Sequence, residues 1–149
     1  MADAIVRARD AVVELAVRCT EEQWRARPLD GDSRPVGVVI DHVADAYTYL
    51  AVWVRQLLDG ETVNIDADVV DALNAQHAGE ALNRPSGVVI DHLRAAGDEF
   101  ATLIRRLSDA DLEVGDGRVG RLAIIAARHA VDHAAEIAAA LAVGSTAPL

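Results

Sequence analysis

Apolar residues recur at three- and four-residue intervals through four separate stretches of this chain, the period of helices that each bury one face. The first stripe is Ile5, Ala8, Val12, Leu15, Ala16 and Cys19, and the second is Val39, His42, Val43, Ala46, Tyr49, Leu50, Trp53 and Leu57. A third carries Val89, Leu93, Ala96, Phe100, Leu103 and Leu107; the fourth puts Leu122, Ile125, Ala126, His129, His133, Glu136, Ile137 and Ala140 on one face. Aromatic residues make up 3% of the chain, which favours slender, closely packed helices over a β-sandwich. At 149 residues the chain is one domain, large enough to bury a real core. The expected fold is an all-α four-helix bundle.

The breaks between stripes carry turn chemistry. Thr20 caps a short turn through Glu22 and Trp24 before Pro28, and residues 29–33 read as a loop. Pro35 falls in the first turn of the second helix with Ser33 as its cap, and that helix ends at Asp59-Gly60. From Gly60 to Arg84 the connection is too long for a tight turn; it is expected to be a crossover holding one short helix from Asp68 to Gln76. The third helix starts at Pro85 and stops at Ser108-Asp109. The Gly-rich stretch Val114 to Gly120 then separates it from a fourth helix that ends before Gly144, with the last residues frayed.

One segment recurs. Arg34-Pro35-x-Gly37-Val38-Val39-Ile40-Asp41-His42 returns as Arg84-Pro85-x-Gly87-Val88-Val89-Ile90-Asp91-His92, differing only at Val36 against Ser86. Each copy sets its histidine seven residues beyond the proline, about 10 Å along a helix axis. Parallel second and third helices therefore place His42 and His92 at one end, and an antiparallel fourth helix brings His129 and His133 there. That course is up-down-down-up, with the crossover between the second and third helices.

Charge and cysteine content narrow the functions. A formal net charge of −10 repels nucleic-acid backbones and anionic lipid, so neither nucleic acid nor membrane is an expected partner. Cys19 is the only cysteine, excluding an internal disulfide and Cys-rich metal ligation, and its place on an apolar stripe makes it a core residue. Charged residues interrupt the N-terminus and no apolar run is long enough to span a bilayer, so a cytoplasmic location is expected. The sequence contains no GxSxG, HExxH, Walker lysine or ExxH pair.

The histidines carry the chemistry. His129 and His133, four residues apart, project from one helix face and can grip one ion in adjacent positions, with His42 on a facing seam as the third ligand. An inward imidazole without a partner costs roughly 1 to 3 kcal/mol per lost hydrogen bond, so such rings satisfy something. Two explanations stand: a shared divalent ion, for which Zn²⁺, Ni²⁺ or Fe²⁺ suits three nitrogens with open positions, and a metal-free hydrogen-bonded polar core. Glu136 is the candidate catalytic residue, able to accept from a ligand imidazole, coordinate, or act as a base. Tyr49 and His92 are candidates for a cofactor-binding wall. Tyr47 and Trp53 suit pocket or core, and His77, in the crossover, is expected to be exposed.

Three segments carry a resemblance: Glu22-Gln23-Trp24-Arg25-Ala26-Arg27-Pro28, Gly37-Val38-Val39-Ile40-Asp41-His42-Val43-Ala44-Asp45-Ala46, and Arg128-His129-Ala130-Val131-Asp132-His133-Ala134-Ala135-Glu136-Ile137. In order and spacing the chain resembles the DinB-like superfamily, which includes the metal-binding domain of mycothiol-dependent maleylpyruvate isomerase. The resemblance implies an up-down-down-up bundle with one divalent ion on His42, His129 and His133, often in a homodimer. It also implies a low-molecular-weight thiol as cosubstrate, and a chain with 14 arginines and no lysine fits a high-GC bacterium, where that thiol is mycothiol. The leading functional expectation is a metal-dependent thiol S-transferase or isomerase acting on a small electrophile. A hydrolase using metal-bound water and a non-enzymatic, metal-binding dimeric bundle are the alternatives.

Overall fold

The computed structural model describes residues 1–27 and 34–144, and among these every regular element is a helix. Four are long: α1 (Ala2–Arg18), α3 (Val36–Leu58), α5 (Ser86–Arg105) and α7 (Val114–Gly144). Three are shorter: α2 (Glu21–Arg25), α4 (Ala67–Ala81) and α6 (Asp109–Leu112). The expected Ser33 cap, the loop after Pro28 and the terminal residues lie outside the described residues.

Each long helix packs against two others: α1 and α3 both lie on α5 and α7, while α4 packs on α3. Along α3 and α5 the contact pairs rise together, from Asp41–His92 to Arg55–Glu99. Between α1 and α5 they run oppositely, Asp3 to Arg105 and Arg9 to Asp98. They do so again between α3 and α7, where Leu57 meets Gly115 and His42 meets His129. The common core closes on Ile5, Val12, Val43, Tyr47, Phe100 and Ile137, all at most 1% exposed. With one phenylalanine available, the large volume at the centre comes from Tyr47 tilted against Phe100 at 6.0 Å between ring centroids.

Helix starts follow the expected chemistry with three corrections. Thr20 and Gln23 form a reciprocal capping box for α2, as Thr20 predicts. Pro35 is not inside the first turn of α3: it is the cap residue itself, extended at φ −56 and ψ 147, and Pro85 does the same for α5. The crossover helix is longer than the Asp68–Gln76 expectation, because Asp66 caps it by accepting from the Val69 N–H and it continues to Ala81. The Gly-rich break expected over Val114–Gly120 is present but shorter. Gly115, Asp116 and Gly117 take positive φ, a kink that two glycines make possible, and regular helix resumes directly after it.

One close approach seats the start of α3. Gly37 lies against the Trp24 indole so tightly that a Cβ there would overlap the ring, which ties α2 to α3. The equivalent Gly87 of the repeated segment has open space around it. The same glycine thus serves packing in one copy and not in the other.

Candidate metal centre and adjoining cavity

His42 projects from α3 and is 8% exposed; His129 and His133 project from α7, one turn apart. Each can offer a nitrogen such that the three atoms lie within 4.8 Å of one another. The rings meet edge to face, with centroids 4.9 Å apart for His42–His129, 5.3 Å for His42–His133 and 4.4 Å for His129–His133. The structure therefore brings together the three residues that helical spacing singled out.

Two observations test whether these residues fit a cation. His129 Nε2 is buried and has no hydrogen-bond partner, a position that costs free energy unless something else fills it. Burial is the main force keeping the rings neutral: it pushes His42 down to about 2, helped by the positive charge of Arg34 and the neighbouring imidazoles. His129 is pushed down to about 4, again chiefly by burial, with His133 and Arg34 adding to it. Neutral imidazoles present lone pairs, and a divalent ion is the species that three converging lone pairs suit. The donor set fits.

Glu136 stands beside this trio rather than in it. Its Oε2 lies 2.7 Å from His133 Nδ1, so the Nδ1–H donates to the carboxylate and Nε2 is left to face inward. Of the three roles open to Glu136, the geometry matches acceptance from a ligand imidazole.

His92 does not join the trio. Its Nδ1 lies 3.2 Å from Asp41 Oδ1, in a second cluster that sequence reasoning did not find. Asp41 is fully buried and also accepts from Arg84 Nη1 at 2.8 Å and from His77 Nε2 at 3.3 Å. Burial by itself would raise the Asp41 carboxyl; the hydrogen bonds from His77 and His92 and the Arg84 charge hold it well below the usual range instead. Its own hydrogen bond to Asp41, helped by the charges of Asp45 and Asp41, pulls His92 upward against its partial burial. Asp41, Asp45 and His77 could also converge on a cation, but Arg84 already neutralises Asp41 and repels a divalent ion there. The cluster reads as an ion-pair knot that fastens the end of α4 and the start of α5 to α3.

His77 corrects an expectation. It is not exposed but 3% exposed, because α4 folds back on α3 and turns Val70, Leu73, Asn74 and His77 inward. The signal was present as a short seam at three- and four-residue spacing within the crossover. Tyr47 belongs to the core, its hydroxyl buried without a partner.

Beside the trio opens a cavity of about 290 Å³. His42, Asp45, Tyr49 and Trp53 are among the residues that line it from α3, the four α4 residues just named form another side, and Leu122, Ile125 and His129 contribute from α7. Tyr49 therefore lies where a pocket residue was expected, stacked on Trp53 at 6.3 Å. His92 does not line this cavity. No helix among the described residues is long and apolar enough to cross a membrane.

Comparison with known proteins returns one assignment. No curated protein and no solved structure matches the chain. Residues 4–137, however, match the family model described as DinB superfamily, a span that takes in all three inward histidines, Glu136 and the cavity walls. The chain belongs to the DinB superfamily.

Proposed function

We propose that this protein is a metal-dependent thiol S-transferase or isomerase, in which His42, His129 and His133 hold one divalent ion. Under this reading a mycothiol-type thiol is the cosubstrate and a small electrophile the second substrate. The observation that carries it is the convergence of three inward imidazoles, His42 buried and His129 and His133 partly so, one with an orphaned Nε2, beside an apolar cavity that His42 and His129 line. When bound, a divalent ion would favour the thiolate form of a coordinated thiol, as a cation lowers the pKa of an acid it holds.

The chain's own residues do the rest. His42 and His129 stay neutral at working pH because burial disfavours their charged forms, so protons do not compete for the site. Glu136 orients the His133 ring through Nδ1. Tyr49, Trp53 and the α4 residues give the space beside the site a largely apolar wall, a setting in which charge interactions are stronger than in bulk water. The contact pairs between helices support an up-down-down-up course. The cytoplasmic location and the homodimer stay part of the proposal; for the dimer, family resemblance is the support.

Elemental analysis of the purified protein tests the metal. One equivalent of a divalent ion is expected, lost in His42→Ala and His133→Ala while circular dichroism stays helical. An assay with mycothiol and an electrophile panel tests the chemistry: thiol-dependent turnover is expected. Turnover that is indifferent to thiol would overturn the transferase reading in favour of hydrolysis.

A further inference from the structure

We propose that the cavity beside the histidine trio holds the apolar body of the electrophile, an elongated molecule whose reactive end meets the ion and whose alkyl or aryl end lies against Trp53. The inference rests on the metal-enzyme reading for its meaning, since it names the class of the second substrate.

The cavity is long, and its titratable groups gather at one end. Its α3 wall runs from His42 to Trp53, about 16 Å along the helix axis, and its α7 wall runs back from His129 to Leu122, about 10 Å. The α4 wall follows the same direction. His77 reaches the His42 end, with ring centroids 5.9 Å apart and its Nε2 3.4 Å from Asp45 Oδ2, while Val70 lies about two turns away toward Trp53. Ile65 belongs to that far end too, two residues beyond the Val63 carbonyl that accepts from Arg118 Nη2 near the start of α7. His42, Asp45, His77 and His129 therefore share the end beside the trio, and Trp53, Ile65, Val70 and Leu122 make the other.

This division sorts the two substrates. A polar thiol laid along the far end would lose its hydration and find no hydrogen-bond partners among those side chains, so that space goes to the electrophile. The far end also carries a broad aromatic surface, since Tyr49 stacks on Trp53 with ring centroids 6.3 Å apart. The head end differs in charge: Arg34 acts there on His42 and His129, and its positive charge favours an anionic head on the ligand. Volume bounds the body. An enclosed apolar space of about 150 Å³ takes one benzene ring, so a cavity of about 290 Å³ suits an apolar body of about eight to twelve carbons.

Calorimetric titration of the unmutated chain with straight-chain carboxylates, from butanoate to dodecanoate, tests this on zinc-loaded and chelator-treated protein. Affinity for a single site is expected to rise about three- to fourfold per methylene, on the order of 100-fold from butanoate to octanoate, and to level by dodecanoate, in both metal states. Orientation is read in Trp24→Phe, where Trp53 is the sole indole. With no thiol added, 8-bromooctanoate is expected to quench the Trp53 emission and 2-bromooctanoate far less. Equal affinity for butanoate and octanoate, a climb that does not level, or equal quenching by the two bromo acids overturns the proposal. The chain-length series is measured on unmutated protein, so a variant that fails to fold does not obscure it. Failure of the metal reading would show separately, as absence of metal in elemental analysis with the chain-length dependence intact.

Discussion

His133 donates its Nδ1–H to Glu136, and that bond fixes which nitrogen faces His42 and His129. Partners of this kind raise ligand basicity and hold the ring's orientation, and their loss typically costs 10- to 100-fold in metal affinity. Glu136→Gln is therefore expected to weaken zinc by about 10-fold or more in competition with a chromophoric chelator, while helicity is unchanged. An unaltered affinity would sink the positioning role. The buried rings also set a pH dependence for metal-free protein. Folded His42 and His129 sit at about 2 and about 4, below the ordinary 6.5, so between those values the unfolded chain binds more protons than the native one. Stability from this source is full above pH 6.5 and falls as pH drops, with a slope of at most about 1.4 kcal/mol per pH unit for each ring. His92 works in the opposite sense: its raised pKa contributes stability below 6.5 that is lost as pH rises through the folded value. Two lowered groups outweigh one raised group, so urea midpoints of chelator-treated protein are expected to fall from pH 7 to pH 5. His42→Phe is expected to flatten the curve, and a flat wild-type profile would show that the rings are not held neutral by burial. The histidine trio was legible because helical spacing alone puts His129 and His133 on one face. Asp41 was not, since a carboxylate on the apolar side of a helix makes sense only once Arg84, His77 and His92 are seen to converge on it.

At the scale of elements, the repeated segment provides a controlled comparison. Gly37 and Gly87 occupy the same position in their two helices, yet only Gly37 is pressed against another side chain, the Trp24 indole. Gly37→Ala forces that ring to move, and overpacking of this kind costs typically about 1 to 3 kcal/mol, more than the helix propensity of alanine returns. Gly87→Ala meets open space and gains up to about 1 kcal/mol from propensity. Urea denaturation is thus expected to show opposite signs for one substitution in two copies of one motif, with altered indole emission for Gly37→Ala. Equal effects would mean that Trp24 does not seat α3. The four long helices were readable from period alone, because their stripes are long and their breaks carry Pro, Gly or capping residues. The extent of α4 was not: its seam of Val70, Leu73, Asn74 and His77 is short, and packing on α3 is what extends it to Ala81. The Gly-rich break before the last helix was readable but its length was not, since glycines that end a helix read the same as glycines that let one restart at once, and only 115–117 leave helical geometry.

For the molecule as a whole, the trio couples metal binding to stability, because the site takes its ligands from two helices that are separate in the unfolded chain. An ion that binds only the folded form stabilises it by about 2.7 kcal/mol at a free concentration 100-fold above the dissociation constant. For a domain of this size that corresponds to an increase in Tm of about 5 to 10 °C. The net charge of −10 complicates the measurement, since any added cation screens self-repulsion among surface carboxylates and raises Tm without occupying a site. Magnesium at equal concentration supplies the control: it screens as zinc does but has little preference for imidazole nitrogen. Wild-type protein is expected to gain the full increment with zinc and only a small one with magnesium. His133→Ala removes one ligand and leaves the surface charge untouched, so its zinc response is expected to shrink to the magnesium level in differential scanning calorimetry. If zinc and magnesium raise Tm equally in the wild type, or if His133→Ala keeps the full zinc increment, the stabilisation comes from the acidic surface and the trio is a polar core without an ion.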